Sequence, residues 1–444
     1  MSDLREGLRE YLKAAMTFLA QRYPRRMDLP LREVRGYHRP APGHLEPQTR
    51  TVIHWRAVVR HSAEELEGLQ QTRELLEQVA LEAQRGLPID RLVGADLFGI
   101  KRIDAGTFLR AVLELALLAG DTIEGNSDGT ANAIEHALRY LQNSTVEFQV
   151  LAPLHGFHCD TDRIDLEEAF SVIRLSDEDW EWLDPANFFV DALALGQEEF
   201  ALMRRIQLPK RVDKLSTARS LSEHDRLIQE DFSRAISCLR MFKPGAVGFS
   251  YYRWGPAEWN PTSASVGRSS SHPSRLRGSP YRLTADESDA LKVFVRNEWT
   301  KMRQGGRLAV ALRWFNSSYE RLKVEERLVD YAIALEALVG DSSSGLTYRL
   351  ALRTAVLVGE SFVERAEIAA LVRELYKARS EVVHGVAIAS VIKRLQRNHD
   401  LGTFVSRCEC LVRDAIRAHC RECVEGQEVR FLKALDERML GSDM

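Results

Sequence analysis

The sequence predicts an α+β protein: a mixed α/β amino-terminal region followed by an all-α helical bundle. Three observations predict it. Strand-like segments such as TVEFQVLAPLHGF alternate with helical ones through the first half. From Thr284 onward, apolar residues recur at three- and four-residue steps almost throughout. Between the two lies RWGPAEWNPTSASVGRSSSHPSRLRGSP, rich in Ser, Pro, Gly and Arg. A chain of 444 residues, 45% apolar and 28% charged, can fill the cores of two or three domains.

The start, MSDLREGLREYLKAAMTFLAQRYPRR, reads as an amphipathic helix rather than a signal peptide. No apolar run approaches the roughly 20 residues that cross a bilayer, so a cytoplasmic protein is expected. TVIHWRAVVRH, Thr51 to His61, reads as a strand, and AEELEGLQQTRELLEQVALEAQRG after it as a helix. The helical AGTFLRAVLELALLAGD and NAIEHALRYLQN precede a strand from Thr145 to Phe157. Strand character returns in AFSVIRLSDEDWEWL and from Glu198 to Arg211. This first region, 1–215, carries no catalytic motif.

Residues 216–252 are expected to hold a connecting helix, from about Ser222 to Phe242, stopped by Pro244 and Gly245. Residues 253–282 bury too little apolar surface to order themselves and are expected as a flexible loop. The other reading of that segment is an RNA-tracking arm, with Arg253, Arg268, Arg275 and Arg277 beside Trp254 and Trp259. Residues 283–444 form the helical domain. It opens on a capping box, Thr284 with Glu287, and continues as five or six helices joined by short Gly- or Ser-bearing turns.

Composition narrows the chemistry. Six cysteines in so long a chain do not make a disulfide framework. Cys408, Cys410, Cys420 and Cys423 cluster, but helix-forming sequence separates the pairs where zinc sites need tight turns, so packed thiols are expected in place of a metal centre. No cofactor is called for. The net charge of −3 excludes a whole-molecule field for nucleic acid. The balance tips locally between Arg373 and Arg421, where Arg373, Lys377, Arg379, Lys393, Arg394, Arg397, Arg407, Arg413, Arg417 and Arg421 outnumber the carboxylates. That excess suits an RNA backbone or a solvated face.

One helix stands out. Between Ala366 and His384, the residues Ile368, Val372, Leu375, Val382 and Val383 mark a stripe that should be buried, and Arg379 falls inside it. A guanidinium there needs a carboxylate, a ligand phosphate or a partner subunit. Glu336 is the nearest candidate carboxylate, and snorkelling is the plainer alternative. His384 follows about 140° further round and roughly 7.5 Å along the helix, next to the terminating Gly385. Arg349 and Arg353, one turn apart, suit two adjacent phosphates or an ordinary exposed face.

The spacing Arg379-Ser380-x3-His384-Gly385 resembles the signature of HEPN-domain ribonucleases. The blocks DYAIALEALVG, LTYRLALRTAVLVG and ELYKARSEVVHG arrive in the order and spacing of the Apea-like branch, over roughly Leu283 to Cys423. The resemblance implies a HEPN-like helical domain that forms a homodimer, with an Arg/His pair from each subunit around a shared cleft. It also implies metal-independent cleavage of RNA to a 2′,3′-cyclic phosphate and a 5′-hydroxyl, with His384 as general acid or base and Arg379 stabilising the phosphorane. Ser380 and Glu336 would support the pair, while Arg349, Arg353 and Lys377 would bind RNA. The role implied is a toxin-like effector of antiphage defence by abortive infection, its amino-terminal region sensing a phage or cellular trigger. Ser380 stands where active relatives often carry Asn, Asp or His, which leaves open a module that binds RNA or dimerises without cutting.

Overall fold

A computed structural model describes the chain apart from residues 1, 42–43, 73, 76, 78–92, 97–98, 121, 124–126, 168–169, 184–197, 211–216, 262–265, 270–275, 277, 304, 342–344, 425 and 442–444. The first helix, α1 (Ser2–Arg22), buries Leu4, Leu8, Leu12, Ala15 and Leu19. Strands β1 (Leu31–Ala41) and β2 (His44–Ile53) pair antiparallel. The expected strand at Thr51 to His61 ends at Ile53, and Trp55–His61 is a helix, α2. Its buried residues, Trp55, Val58 and Val59, fall at i, i+3 and i+4, so a helical apolar stripe overrides the β-propensity of the two valines. Then come α3 (Ala63–Gly68), the pair β3 (Val93–Asp96) and β4 (Gly99–Arg102), α4 (Ala105–Gly120) and α5 (Ser127–Gln142). The expected helix through AEELEGLQQTRELLEQVALEAQRG lies partly outside the described residues.

The centre of the amino-terminal region is a six-stranded antiparallel sheet. Its strands include β5 (Thr145–Pro153), β7 (Arg163–Glu167), β8 (Phe170–Arg174) and β9 (Phe200–Pro209), while the short β6 (Phe157–Cys159) lies outside it. Strand β8 gives way to α6 (Asp177–Leu183), so AFSVIRLSDEDWEWL is half strand and half helix. After α7 (Thr217–Phe242) come β10 (Tyr251–Pro256), β11 (Val266–Ser269) and β12 (Tyr281–Leu283). The sheet order is β11-β10-β5-β9-β8-β7, and β12 pairs parallel with β6.

This corrects the expected loop over 253–282. Arg253 pairs with Leu151 and Trp254 with Val150, so β10 is an inner strand, and residues 253–256 acquire their order from a strand encoded a hundred residues earlier. Trp254 is buried against Phe148 and is not displayed for a nucleobase. Arg275 and Arg277 of the suggested RNA arm lie outside the described residues.

The helices from α8 onward are α8 (Ala285–Glu298), α9 (Gly306–Ser318), α10 (Val324–Val339), α11 (Leu346–Val358), α12 (Phe362–Val383), α13 (Ile388–Asn398), α14 (Leu401–Glu422) and α15 (Glu428–Met439). The capping box at Thr284 is present, with the Thr284 hydroxyl accepting from the Glu287 amide. Two helices exceed the expected five or six in that stretch, Ile388–Asn398 and Glu428–Met439.

Packing divides the chain near Trp299. The core of the sheet region takes in Ile228, Phe232 and Leu239 of α7 and Leu291 and Val295 of α8. Burying a side chain such as Phe232 contributes roughly 2–3 kcal/mol, which makes α7 a structural layer of the sheet region as well as a connection. A second core runs from Leu308 to Leu435 and reaches back to Met241 and Ala246. Two buried arginines join the cores: Arg413 Nε donates to the Arg240 carbonyl at 2.7 Å, and Arg240 Nη1 to the Asn316 carbonyl at 3.0 Å.

Candidate functional site

Helix α12 carries the singled-out pair. It begins at a capping box, Ser361 with Glu364, and buries Ala369, Leu371, Val372, Leu375 and Ala378. The expected stripe is therefore only partly right. Val372 and Leu375 are buried, Ile368 and Val382 pack partly, and Val383 is 54% exposed. Ala378 takes the inner position one turn beyond Leu375, and Arg379 is turned to the edge of the seam with 24% of its side chain exposed.

At that edge Arg379 meets Glu336 of α10. Nη2 stands 3.8 Å from Glu336 Oε2, an ion pair too long for a hydrogen bond. Arg379 Nε and Glu336 Oε2 are both shielded from solvent without a hydrogen-bond partner among the described residues. The guanidinium carbon lies 5.5 Å from the Tyr376 ring centroid, within cation–π reach. Burial, with Glu336 adding to it, raises the pKa of the Tyr376 hydroxyl. The pair is thus half-buried and under-bonded, and it contributes about 0–1 kcal/mol to stability.

His384 ends the helix. As C-cap it has φ −87° and ψ 12°, and Gly385 follows at φ +79°. The Val386 amide bonds the Glu381 carbonyl at 2.9 Å and the Gly385 amide the Val382 carbonyl at 3.2 Å, a Schellman closure. Nothing lies within 4 Å of where a Gly385 Cβ would be, so glycine is needed there for its backbone angle and not for space. The imidazole is exposed and makes no hydrogen bond among the described residues. It does not touch Arg379. Ser380, on the turn between them, is half-buried.

The remaining candidates part company. Arg353 is only 3% exposed: Nε and Nη2 fork onto Asp436 at 2.6 and 2.7 Å, Nη2 also reaches Asp341 at 2.9 Å, and Nη1 donates to the Val339 carbonyl at 3.0 Å. Hydrogen bonding to Asp436 raises its pKa further. It ties α11 to α15 and presents no donor to a phosphate, which corrects the expectation that it contacts RNA. Arg349, half-buried, sits 3.5 Å from Asp341. Lys377 is exposed.

A feature missed in the sequence lies on the same helix. Arg373, Lys377, Ser380 and His384 are spaced i, i+4, i+7 and i+11, which places them within about 60° of one another around α12 over roughly 16 Å. Arg373, Lys377 and His384 are all exposed, so they form one polar and basic ridge. The spacing was present in the sequence but hidden among ten basic residues of the region. Arg394 is held by Glu374 and Glu381, and Arg413 is buried in the core seam, so neither adds to an outer surface.

The four clustered cysteines share α14 and its C-cap, with Cys408 and Cys420 buried and Cys410 exposed. No group of three or more His, Cys, Asp or Glu able to hold a metal ion occurs among the described residues. No described helix is long and apolar enough to cross a membrane. Comparison of the chain with protein-family models, curated proteins and solved structures finds no match.

Proposed function

We propose that this chain is an endoribonuclease of the HEPN type, cutting RNA without a metal ion through Arg379 and His384 and acting as a toxin-like effector in antiphage defence. The observation that carries the reading is the state of the pair. Arg379 keeps an unbonded, shielded Nε beside a carboxylate too distant to bond it, and His384 stands exposed and uncommitted at the end of the same helix. A phosphate would meet the exposed part of the Arg379 guanidinium and give it a charge-assisted acceptor that Glu336, at 3.8 Å, does not supply. His384 moves the proton of the ribose 2′-hydroxyl or of the leaving 5′-oxygen, and Arg379 stabilises the pentacoordinate phosphorus. Oxygen O2′ bonds phosphorus as the 5′-oxygen leaves, giving a 2′,3′-cyclic phosphate and a 5′-hydroxyl. The ridge of Arg373 and Lys377 guides the strand toward His384. A homodimer brings two such pairs to one cleft, and the sheet region responds to a phage or cellular trigger in the cytoplasm.

A second reading has its own observation. Among the described residues His384 has no hydrogen-bond partner to orient its imidazole, as a catalytic base requires. This favours a HEPN-like module that binds RNA, or dimerises within a larger complex, without cutting. Purified protein incubated with total RNA in EDTA separates the two. The nuclease degrades it, and His384→Ala lowers the rate at least about 100-fold with fold and oligomeric state intact. Intact RNA with the wild-type chain, together with equal and harmless expression of both forms, sinks the nuclease reading.

A further inference from the structure

We propose that Ser250, His155 and Glu198 form a second reaction centre, a serine acyl-transfer site for a small ester or thioester, in the sheet region and independent of every bundle residue discussed above. His155 Nε2 lies 2.6 Å from Ser250 Oγ, and His155 Nδ1 lies 2.6 Å from Glu198 Oε1. With Nδ1–H donated to the carboxylate, Nε2 is the acceptor for the serine proton. Nucleophile, base and orienting acid then stand in the order that acyl transfer requires.

Three neighbouring strands deliver these side chains. β10, β5 and β9 lie side by side in the sheet, and each pair is antiparallel. Ser250 immediately precedes β10, His155 follows the end of β5, and Glu198 precedes the start of β9, so all three gather at one edge. The His155 backbone is bridged to Gly248, its amide donating to the Gly248 carbonyl at 2.8 Å. Gly156 then turns at φ +70°, where a Cβ would stand 2.4 Å from the Ala246 carbonyl oxygen. Only glycine permits this approach, which holds His155 against the bridged segment that leads into Ser250.

A lock between strands would need the His155–Glu198 pair alone. The serine on the opposite nitrogen, and its own backbone amide, are what that explanation leaves over. The Ser250 N–H makes no hydrogen bond among the described residues and stands beside its Oγ, where a tetrahedral intermediate develops its oxyanion. Ser250 and His155 each retain 8% exposure against 2% for Glu198, so the serine and the imidazole are the members of the trio nearer to solvent.

In the reaction, Ser250 Oγ bonds the acyl carbon while its proton passes to His155 Nε2. The imidazolium returns that proton to the departing alkoxide or thiolate. Water then attacks the acyl-serine, its proton passing through His155 to Ser250 Oγ, and a free carboxylic acid leaves.

The test uses the full chain and a short-chain alkyl fluorophosphonate at neutral pH, with adducts located by peptide mass spectrometry. One phosphonyl adduct on Ser250 is expected, formed about 100-fold more slowly in His155→Gln and absent from Ser250→Ala. Hydrolysis of p-nitrophenyl acetate should fall in parallel, with thermal melts confirming that each variant is folded. Folded wild type that acquires no adduct on Ser250 overturns the proposal, whether or not the variants fold. So does a folded His155→Gln that is labelled at the wild-type rate.

Discussion

Two regions of the bundle, around Arg353 and around Arg379, show how differently the same residue type is used on consecutive helices. Around Arg353 every guanidinium nitrogen has an acceptor, supplied by a carbonyl and a carboxylate at the end of α10 and a second carboxylate on α15. Around Arg379 one carboxylate approaches to 3.8 Å and the shielded Nε has no acceptor among the described residues. The first arrangement consumes the donor capacity of arginine for folding. The second leaves part of that capacity unfilled among the described residues. Location on a bundle helix therefore says little about an arginine's role, whereas its unfilled hydrogen-bonding capacity says a good deal.

Stability measurements can break that comparison. Arg353→Ala strands Asp436 and Asp341 and empties a buried position, so a loss of about 3–5 kcal/mol is expected in urea melts, against about 1 kcal/mol or less for Arg379→Ala. Equal losses would put both arginines in one structural class.

A second buried group sharpens the contrast through pH. Burial lowers His419 from an ordinary 6.5 to about 4, with its ring edge-on to Phe431 and Nδ1 lacking a hydrogen-bond partner among the described residues. The unfolded chain takes up a proton as pH falls through about 6.5, and the folded one not until about 4. Stability from this residue is thus fully present above about 6.5 and is lost toward 4, by roughly 3 kcal/mol in all. Melts between these pH values should show the slope in the wild type and a flatter one in His419→Leu; an unchanged slope places the titration elsewhere.

The smallest effect belongs to the ridge. Lys377→Ala should weaken RNA binding severalfold across sequences, reduce the salt dependence of log K by about 1, and leave the melting temperature unmoved. An unaltered salt slope would remove the ridge from the RNA path.

The α+β class, the capped helix at Thr284 and the helical bundle were legible because period, caps and turn residues are local signals. The closing of α12 at Gly385 was legible for the same reason, since a positive φ is a local demand that only glycine meets cheaply. Three things were not. Residues 253–256 read as part of a loop because their order comes from pairing with β5, far away in sequence. Arg353 read as an RNA contact or an exposed residue because the carboxylates that bury and bond it, Asp341 and Asp436, lie outside its own helix. Ser250, His155 and Glu198 carry no spacing that a reader could follow, since their meeting depends on the order of β10, β5 and β9 in the sheet. By itself the sequence determined which elements form and where they stop. Tertiary structure alone decided which polar groups find partners, because hydrogen bonds and ion pairs between distant segments depend on approach to within a few ångströms.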